Sequence, residues 1–598
     1  MPTEPTGITM NDTSSMNDIN NEWFLEPSNI DKHFPKPSYR EGQREAIEFA
    51  IKAFNSGKKF VVLECPTGGG KSPIGITIAN MVNKTYYLTI TKILQDQLTG
   101  DFTNIQELKG RGAYPCTFYD REGQKLVDRK LWTSDQLNKM IAENPTCSTG
   151  FCRTRYNRSS TASKAYKCTK CFLANSANGE LSELPEGFRY CACPYYENVY
   201  RAVDARQVTM NFSSFLFQTT LTRRFEEPRD LLIIDECHNI EPQLLDFISF
   251  SITDQHLTAR GIFIPKLDTA YDYYVWFMES KIASVLKDAI KQAALEDKPK
   301  LEDELARTES KFALFMKHIE ASKDSCDTEW VAEYEEKDTR RSVTIKPIYV
   351  HQFANELLFK HGTKVLLMSA TVLDINVLCR SLGIDKSQVA ARRMKNRFPV
   401  ANRPIYLRTV AKMTGGVNAM PKWAPQLTAA VDQIVNEHQG ERGIIHTHNF
   451  AITDWLLKKC NPLVQRRLLS QYKFRGDKKA MLDEHSKRND SILIAPAMHE
   501  GIDLADDLSR FQIICKVPYA NCFDNLQLAK RVEIDRKYYT WLTALKLVQS
   551  YGRSIRSATD HAMTYILDES IYKFLKDAAS MLPEWFIEAI VEENEGYQ

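Results

Sequence analysis

Two short stretches carry side chains whose types and spacing could do chemistry. Val61-Val-Leu-Glu-Cys65-Pro66-Thr67-Gly68-Gly69-Gly70-Lys71-Ser72 is an apolar run that breaks into glycines and ends in a cation and a hydroxyl. A strand, turn and helix of this composition wrap backbone N–H groups around the phosphates of a nucleotide. Lys71 supplies a point charge for those phosphates, and the Ser72 hydroxyl can ligate Mg²⁺. The strict spacing G-x-x-x-x-G-K-[ST] is met except at its first position, which is Cys65. Downstream, Leu231-Leu-Ile-Ile-Asp235-Glu236 is a second apolar run, ending in two carboxylates. A hard, octahedral Mg²⁺ on a triphosphate takes an acidic oxygen at such a strand end, the place of Asp235. Glu236 is then placed to polarise an attacking water as general base. Either stretch alone also describes a surface turn or a solvated strand end. Together they describe a site for hydrolysis of a nucleoside triphosphate.

The elements that must hold these residues are legible in the surrounding pattern. Strand-like runs at Phe60–Leu63, Thr85–Ile90 and Leu231–Ile234 alternate with helical patterns such as Ile93–Leu98. Such alternation predicts an α/β fold with a parallel sheet and ligands at the C-terminal ends of its strands. Strands return at Lys364–Met368, Gly443–His446, Ser491–Ala495 and Phe511–Val517, which predicts a second α/β domain from about residue 395. Residues 265–340 differ: Tyr271–Ile290 is amphipathic and Pro299–Ser322 is rich in Glu, Lys, Leu and Ala. That segment carries no strand signal and is expected to be a helical insertion.

Size and composition bound the reading. A chain of 598 residues is too long for one core and predicts three or four domains. Its 43% hydrophobic and 26% charged residues are ordinary for a soluble globular protein. The net charge of +2 places any polyanion site in a local patch rather than over the whole surface. No apolar run has transmembrane length, and the polar segment from Met1 to about Asn21 has no signal-peptide core, so an intracellular protein is expected. Seven of the fourteen cysteines fall between Cys116 and Cys193: Cys116, Cys147, Cys152, Cys168, Cys171, Cys191 and Cys193. Without a secretion signal, that clustering points to metal rather than disulfides. The other seven read as buried small hydrophobes.

Read in order, the short motifs resemble those of superfamily 2 helicases, in particular the XPD/DinG-like iron–sulfur DNA helicases. Tyr39-Arg40-Glu-Gly-Gln43 is similar to the glutamine motif that contacts adenine. Thr89-Ile-Thr91-Lys-Ile-Leu-Gln95-Asp-Gln97 is similar to motif Ia, and Asp235-Glu236-Cys237-His238-Asn239 to a DEAH box with cysteine at the alanine position. Ser369-Ala370-Thr371-Val-Leu resembles motif III. Glu500-Gly501-Ile-Asp503-Leu, followed by Lys516-Val-Pro518-Tyr, resembles motif V. Gln549-Ser-Tyr-Gly552-Arg553-Ser-Ile-Arg556 resembles motif VI, where the family places arginine fingers. The resemblance implies catalytic roles for Lys71, Asp235, Glu236, His238, Gln549, Arg553 and Arg556. It implies ATP contacts from Gln43, Pro66, Thr67, Gly68, Gly69, Gly70, Lys71, Ser72, Gly501 and Asp503, with Mg²⁺ on Ser72 and Asp235. Charge balance agrees: a γ-phosphate held by Lys71 and Mg²⁺ alone leaves transition-state charge uncompensated. Arg553 and Arg556, three apart on an expected helix, would share one face and arrive together across a cleft.

The cysteine segment carries the same resemblance at both ends, in Leu108-Lys-Gly-Arg111-Gly-Ala-Tyr-Pro-Cys116 and in Cys193-Pro-Tyr-Tyr. Thiolates suit an Fe–S cluster or Zn²⁺, and either needs four. Cys168-x2-Cys171 has the spacing of archaeal XPD-like members and Cys147-x4-Cys152 is similar to the DinG-like spacing. The expected set is Cys116, Cys168, Cys171 and Cys193 around a [4Fe–4S] cluster. The alternative is a zinc knuckle from Cys147-x4-Cys152 with Cys168-x2-Cys171. Between Asn144 and Gly179 there is no acid, while Arg153, Arg155, Arg158, Lys164, Lys167 and Lys170 interleave with Phe151, Tyr156 and Tyr166. Cations and stacking rings in that mixture suit a single-strand path; a solvated basic loop is the plainer reading.

The resemblance implies two RecA-like domains with two insertions in the first. The expected bounds are a tail at 1–21, the first motor domain in parts at 22–105, 201–250 and 351–390, and the second at 391–598. The Cys-rich insertion takes 106–200 and a helical arch-like insertion 251–350. The implied activity is an ATP-dependent DNA helicase, monomeric, moving 5′→3′ on single-stranded DNA and opening forked or tailed duplexes in repair or replication. The alternatives are an NTP-driven remodeller that does not separate strands, and a catalytically silent DNA-binding scaffold.

Overall fold

The computed structural model describes residues 24–591 except 67, 118–123, 125–126, 129–132, 144–145, 149–192, 221, 223, 255–256, 258–260, 293–304, 306–308, 310, 318–325, 338–339, 397, 415, 497–503, 505 and 556–558. In chain order, helix α1 (Gln43–Asn55) leads into β1 (Phe60–Glu64), α2 (Lys71–Asn80), β2 (Thr85–Thr89) and α3 (Lys92–Asp101). Then come β3 (Gln106–Glu107), α4 (Pro194–Asp204), β4 (Gln207–Asn211), β5 (Arg229–Asp235) and α5 (Ile240–Ile248). The middle of the chain forms β6 (Phe250–Thr253), α6 (Ala270–Glu279), α7 (Ile282–Gln292), β7 (Trp330–Lys337) and β8 (Arg340–Pro347). It returns through β9 (Gly362–Ser369), α8 (Ile375–Leu382) and β10 (Val389–Arg393).

Seven of these strands make one parallel sheet in the order β10-β1-β9-β5-β2-β4-β3. Every residue of β1 and β2 is buried, as expected for strands covered by helices on both faces. Because β1 and β5 both pair with β9, the ends of three adjacent strands lie side by side: Glu64 is opposite Ser369, and Asp235 opposite Met368. The two motifs, 165 residues apart in sequence, therefore meet at one sheet edge.

A second parallel sheet has the order β13-β14-β12-β15-β16-β11-β17. Its strands are β11 (Ile405–Tyr406), β12 (Gly443–His446), β13 (Leu468–Leu469), β14 (Ile492–Ala495), β15 (Phe511–Ile514), β16 (Met563–Ile566) and β17 (Ile590–Val591). Between β15 and β16, helices α9 (Leu526–Ile534) and α10 (Arg536–Tyr551) reach toward the first sheet. The α/β fold class with two parallel-sheet domains is thus observed. Strand β10 runs across the boundary expected at residue 390.

The all-helical expectation for residues 265–340 does not hold. Tyr271–Ile290 is two helices, broken at Ser280-Lys281, where Lys281 has φ +51°. At the C-terminal end, β7 and β8 pair antiparallel from Trp330↔Pro347 to Lys337↔Arg340, and β6 adds to β8. Acids of this charged stretch are paired across the ladder, Glu333 with Lys346 and Glu336 with Arg341 at 3.0 Å. Cross-strand partners of this kind, with β-branched Val343 and Ile345 facing inward, favour a sheet over a helix. Phe250, Phe277, Phe312, Phe315, Trp330 and Phe353 form the aromatic core that joins this sheet to the helices. Among the described residues, no helix is long and apolar enough to cross a membrane.

Candidate nucleotide-hydrolysis site

Strand β1 stops at Cys65-Pro66 and the chain turns on itself, Gly69 N–H donating to the Pro66 carbonyl at 2.8 Å. The turn admits no side chain at its end. A Cβ on Gly69 would stand 2.8 Å from the Pro66 oxygen, and one on Gly70, at φ +73°, would collide with the Gln43 amide. Lys71 then opens α2, so the unpaired N–H groups of the first turn face the loop. Cys65, at the position where the strict pattern has glycine, is buried and extends the strand, its N–H donating to the Ser369 carbonyl at 2.8 Å. Gln43 braces the turn: its Nε2 donates to the Gly70 carbonyl at 3.0 Å, and its Oε1 accepts from Arg40 N–H at 2.6 Å. Arg40 also donates to the Gly68 carbonyl.

Strand β5 delivers the carboxylates. Asp235 ends the strand, and Glu236 follows in the left-handed region at φ 53°, ψ 50°. A β-carbon residue held there is strained, and that strain turns the Glu236 side chain back toward the loop. Lys71 Nζ lies 2.5 Å from Glu236 Oε1 and 3.9 Å from Asp235 Oδ1. Burial opposes ionisation of Glu236, but Lys71, with both its charge and its hydrogen bond, and Arg553 outweigh it and hold the carboxyl down to about 2. Asp235 is pushed the other way, to about 6, by burial and by the neighbouring Glu236 charge, with Lys71 working against the shift.

A chain of polar side chains runs from Glu236 into the second sheet's half of the molecule. The Ser369 hydroxyl lies 3.2 Å from Glu236 Oε2 and 2.8 Å from His238 Nδ1. On the far side of the ring, Asn239 Nδ2 and Gln549 Nε2 face His238 Nε2 at 2.8 and 2.6 Å. Two amide donors at Nε2 make that nitrogen the acceptor, so the ring proton sits on Nδ1 and points at Ser369. Gln549, on α10, also donates to Thr371 Oγ1 at 3.1 Å. The second sheet's half thus touches the hydrolysis site through one buried amide.

Of the residues expected in the site, Lys71, Asp235, Glu236, His238, Gln549 and Arg553 come together, with Gln43, Pro66, Gly68, Gly69 and Gly70 forming the loop and Ser72 in the first turn of α2. Arg553 is not on a helix. Helix α10 ends at Tyr551, with Gly552 as its cap, so the shared-face argument for Arg553 and Arg556 fails. Thr67, Gly501, Asp503 and Arg556 lie outside the described residues, as do Cys168, Cys171 and the basic stretch from Arg153 to Lys170. Sequence reasoning assigned no site role to Ser369 and Thr371, although motif III had been recognised around them. Only the folded hydrogen-bond network shows Ser369 joining Glu236 to His238, and Thr371 meeting Gln549.

Two family profiles match the chain: "Type III restriction enzyme, res subunit" over residues 36–259, and "Helicase C-terminal domain" over residues 433–589. Solved structures titled XPD_Helicase and XPD_APO each share 90% of this chain and 98% of their own, with TM-scores of 0.56 and 0.52. In fold the chain resembles these XPD structures, and its residues 433–589 are similar to a helicase C-terminal domain. At 15% and 14% identity those structures speak for the fold alone. The ATP-dependent DNA helicase CHL1 of Candida albicans is 31% identical over 103 residues, which is 14% of this chain and 12% of that protein. The protein of the same name from Meyerozyma guilliermondii is 28% identical over 122 residues, 18% of this chain and 14% of the relative. The matched stretches are a small part of those relatives' length.

The described cysteines between Cys116 and Cys193 draw together. An antiparallel bridge, Pro115↔Thr146, sets the Cys116 segment beside Cys147, and Cys193 caps α4. Cys147 Sγ lies 3.7 Å from Cys193 Sγ, and that contact, with burial, drives the Cys147 thiol far upward. Among the described residues no group of three or more His, Cys, Asp or Glu is arranged to hold a metal ion.

Proposed function

We propose that this chain is an ATP-dependent DNA helicase that moves 5′→3′ on single-stranded DNA and opens forked or tailed duplexes as a monomer. The observation that carries the reading is the Gln549–His238 hydrogen bond of 2.6 Å beside the Lys71–Glu236 pair. A hydrolysis site closed by a residue from the other sheet makes ATP turnover sensitive to the gap between them, as a stepping motor requires.

The protein's own groups divide the work. Backbone N–H groups at residues 68–72 and the Lys71 ammonium bind the β- and γ-phosphates. Mg²⁺, where bound, would be held by Ser72 and Asp235 and would neutralise charge between those phosphates. A γ-phosphate competes with Glu236 for Lys71; once Lys71 turns to the phosphate, Glu236 Oε1 is released to accept a proton from water. The Ser369 hydroxyl and His238 hold the other carboxylate oxygen, fixing the direction of the base. Arg553, which already adds to the positive field on Glu236, supplies cationic charge for the transition state.

The iron–sulfur group belongs to this proposal, with Cys116, Cys168, Cys171 and Cys193 as its ligands. Donor chemistry supports a thiolate-held metal: among the described residues, thiols from separate segments, Cys147 and Cys193, come together. The 3.7 Å between Cys147 and Cys193 favours zinc as the second reading, since two thiolates at about 2.3 Å from one tetrahedral ion stand about 3.8 Å apart. The contact brings Cys147, which is absent from the [4Fe–4S] set and grouped with other cysteines in the zinc reading, beside Cys193 as a further candidate ligand.

The test is ATP hydrolysis with and without single-stranded DNA, together with strand separation on matched 5′-tailed, 3′-tailed and RNA–DNA duplexes. DNA-stimulated hydrolysis with opening of the 5′-tailed duplex is expected. Stimulated hydrolysis with no opening of any duplex makes the chain a translocating remodeller, and no hydrolysis leaves a scaffold.

A further inference from the structure

We infer that Arg531 is a positioning residue of the hydrolysis site, acting through a buried ion pair with Glu241 that fixes helix α10 against the first sheet's domain. The inference rests on the ATPase reading above and deepens it.

Arg531 lies on α9 and is 2% exposed; Glu241 lies on α5, two residues after Asn239, and is 5% exposed. Their side chains stand 3.6 Å apart. The guanidinium is sandwiched between the rings of Tyr349 and Tyr538, 4.2 and 4.4 Å from their centroids, and donates to Ser381 Oγ at 3.2 Å. Two buried charges facing each other across a junction are costly unless both stay in register, so the pair tolerates few other arrangements. That makes it a locating pin more than a source of stability.

What it locates is the rest of α10. Tyr538, Trp541, Leu545 and Val548 are buried at helical spacing, so one face of the helix runs along the first domain. Trp541 Nε1 donates to the Val372 carbonyl at 2.8 Å, in the segment just after Thr371. Gln549 follows two turns later on His238 and Thr371, and Arg553 lies just beyond the helix end. The elbow before α10 is held from outside by Arg380 and Asp535, 3.1 Å apart. The pin at Glu241 and the amide at His238 therefore engage two points, three residues apart, on the segment that follows Asp235 and Glu236. Loss of the pin leaves the phosphate loop and Lys71 as they are, but lets α10 shift along its axis. Gln549 and Arg553 then miss their positions.

The experiment compares the full-length chain with Arg531→Lys, Arg531→Met and the double variant Glu241→Gln/Arg531→Met. The double variant leaves no unpaired buried charge, so its melting temperature is the control for folding. With DNA-stimulated hydrolysis as readout, we expect kcat of the double variant to fall on the order of ten- to a hundredfold, the scale of an ångström misplacement far from the chemistry. The KM for ATP should stay within about twofold, since ground-state contacts are untouched. Arg531→Lys should recover part of kcat. Amide exchange in residues 545–555 should quicken in the double variant, a readout that does not depend on hydrolysis. A double variant with wild-type kcat and wild-type exchange overturns the inference, as does a loss of kcat that only follows a loss of folded protein. If the wild-type chain hydrolyses no nucleotide, the ATPase reading fails, and the exchange measurement alone decides whether the pin holds α10.

Discussion

Glu236→Gln separates two things that Glu236 does. As a base it is needed for hydrolysis; as an anion it holds Lys71 away from a phosphate. The second effect can be sized. A glutamate that ionises near 2 instead of 4.5 is favoured in its charged form by its surroundings. Lys71 contributes both a charge and a hydrogen bond to it, ahead of Arg553. A γ-phosphate must take the ammonium from Glu236, and a hydrogen bond between charged groups is worth about 2 kcal/mol, on the order of tenfold or more in affinity. Glu236→Gln keeps the shape and removes that competition. It should bind ATP about tenfold more tightly while stimulated hydrolysis falls a hundredfold or more, the scale of losing a general base. Equilibrium binding of a fluorescent ATP analogue, set beside single-turnover hydrolysis, measures both. Weaker binding with hydrolysis lost would show that Glu236 organises the site rather than competing for Lys71. Near-wild-type hydrolysis would remove it as the base.

Further tests address other parts of the molecule. His361 is buried against Phe215, and burial with the nearby Lys360 charge lowers its pKa to about 4, against 6.5 in an exposed histidine. Stability tied to it is therefore complete above pH 6.5 and is lost as pH falls toward 4; by pH 5 the loss is about 2 kcal/mol. His361→Leu should flatten that part of a urea-unfolding series, and an unchanged pH slope would refute the assignment. For the metal, anaerobically purified chain should carry about four iron and four sulfide if the group is [4Fe–4S]; stoichiometric zinc without sulfide would favour the other reading. Cys147→Ser should lower metal content if Cys147 is a ligand, and full content in that variant would exclude it. Arg553→Ala should abolish stimulated hydrolysis while leaving DNA affinity and its salt dependence in place, since Arg553 is assigned to the phosphate and not to the strand.

The sequence alone determined the chemistry at each strand end and the kind of fold that carries it. Strand–glycine–Lys71-Ser72 and the run into Asp235-Glu236 are local signals, because a phosphate cradle is built from consecutive backbone N–H groups and a parallel strand is a short apolar run. Fully buried strands such as β1 and β2 in the first sheet and β12 and β14 in the second left the same continuous pattern, so both sheets were legible. What tertiary structure decided were relations between distant residues. The hairpin β7–β8 hid inside charged sequence, because its acids are neutralised by the opposite strand and not by neighbours along the chain. Arg553 lies off the helix because Gly552 ends α10 one residue earlier, a boundary that motif spacing does not mark. Cys147 approaches Cys193 because a bridge at Pro115↔Thr146 folds the segment back on itself. The Ser369–His238–Gln549 path and the Glu241–Arg531 pair join residues from elements far apart in sequence. No local pattern encodes such a pair, since what makes each charge tolerable is the burial that only the packed elements create.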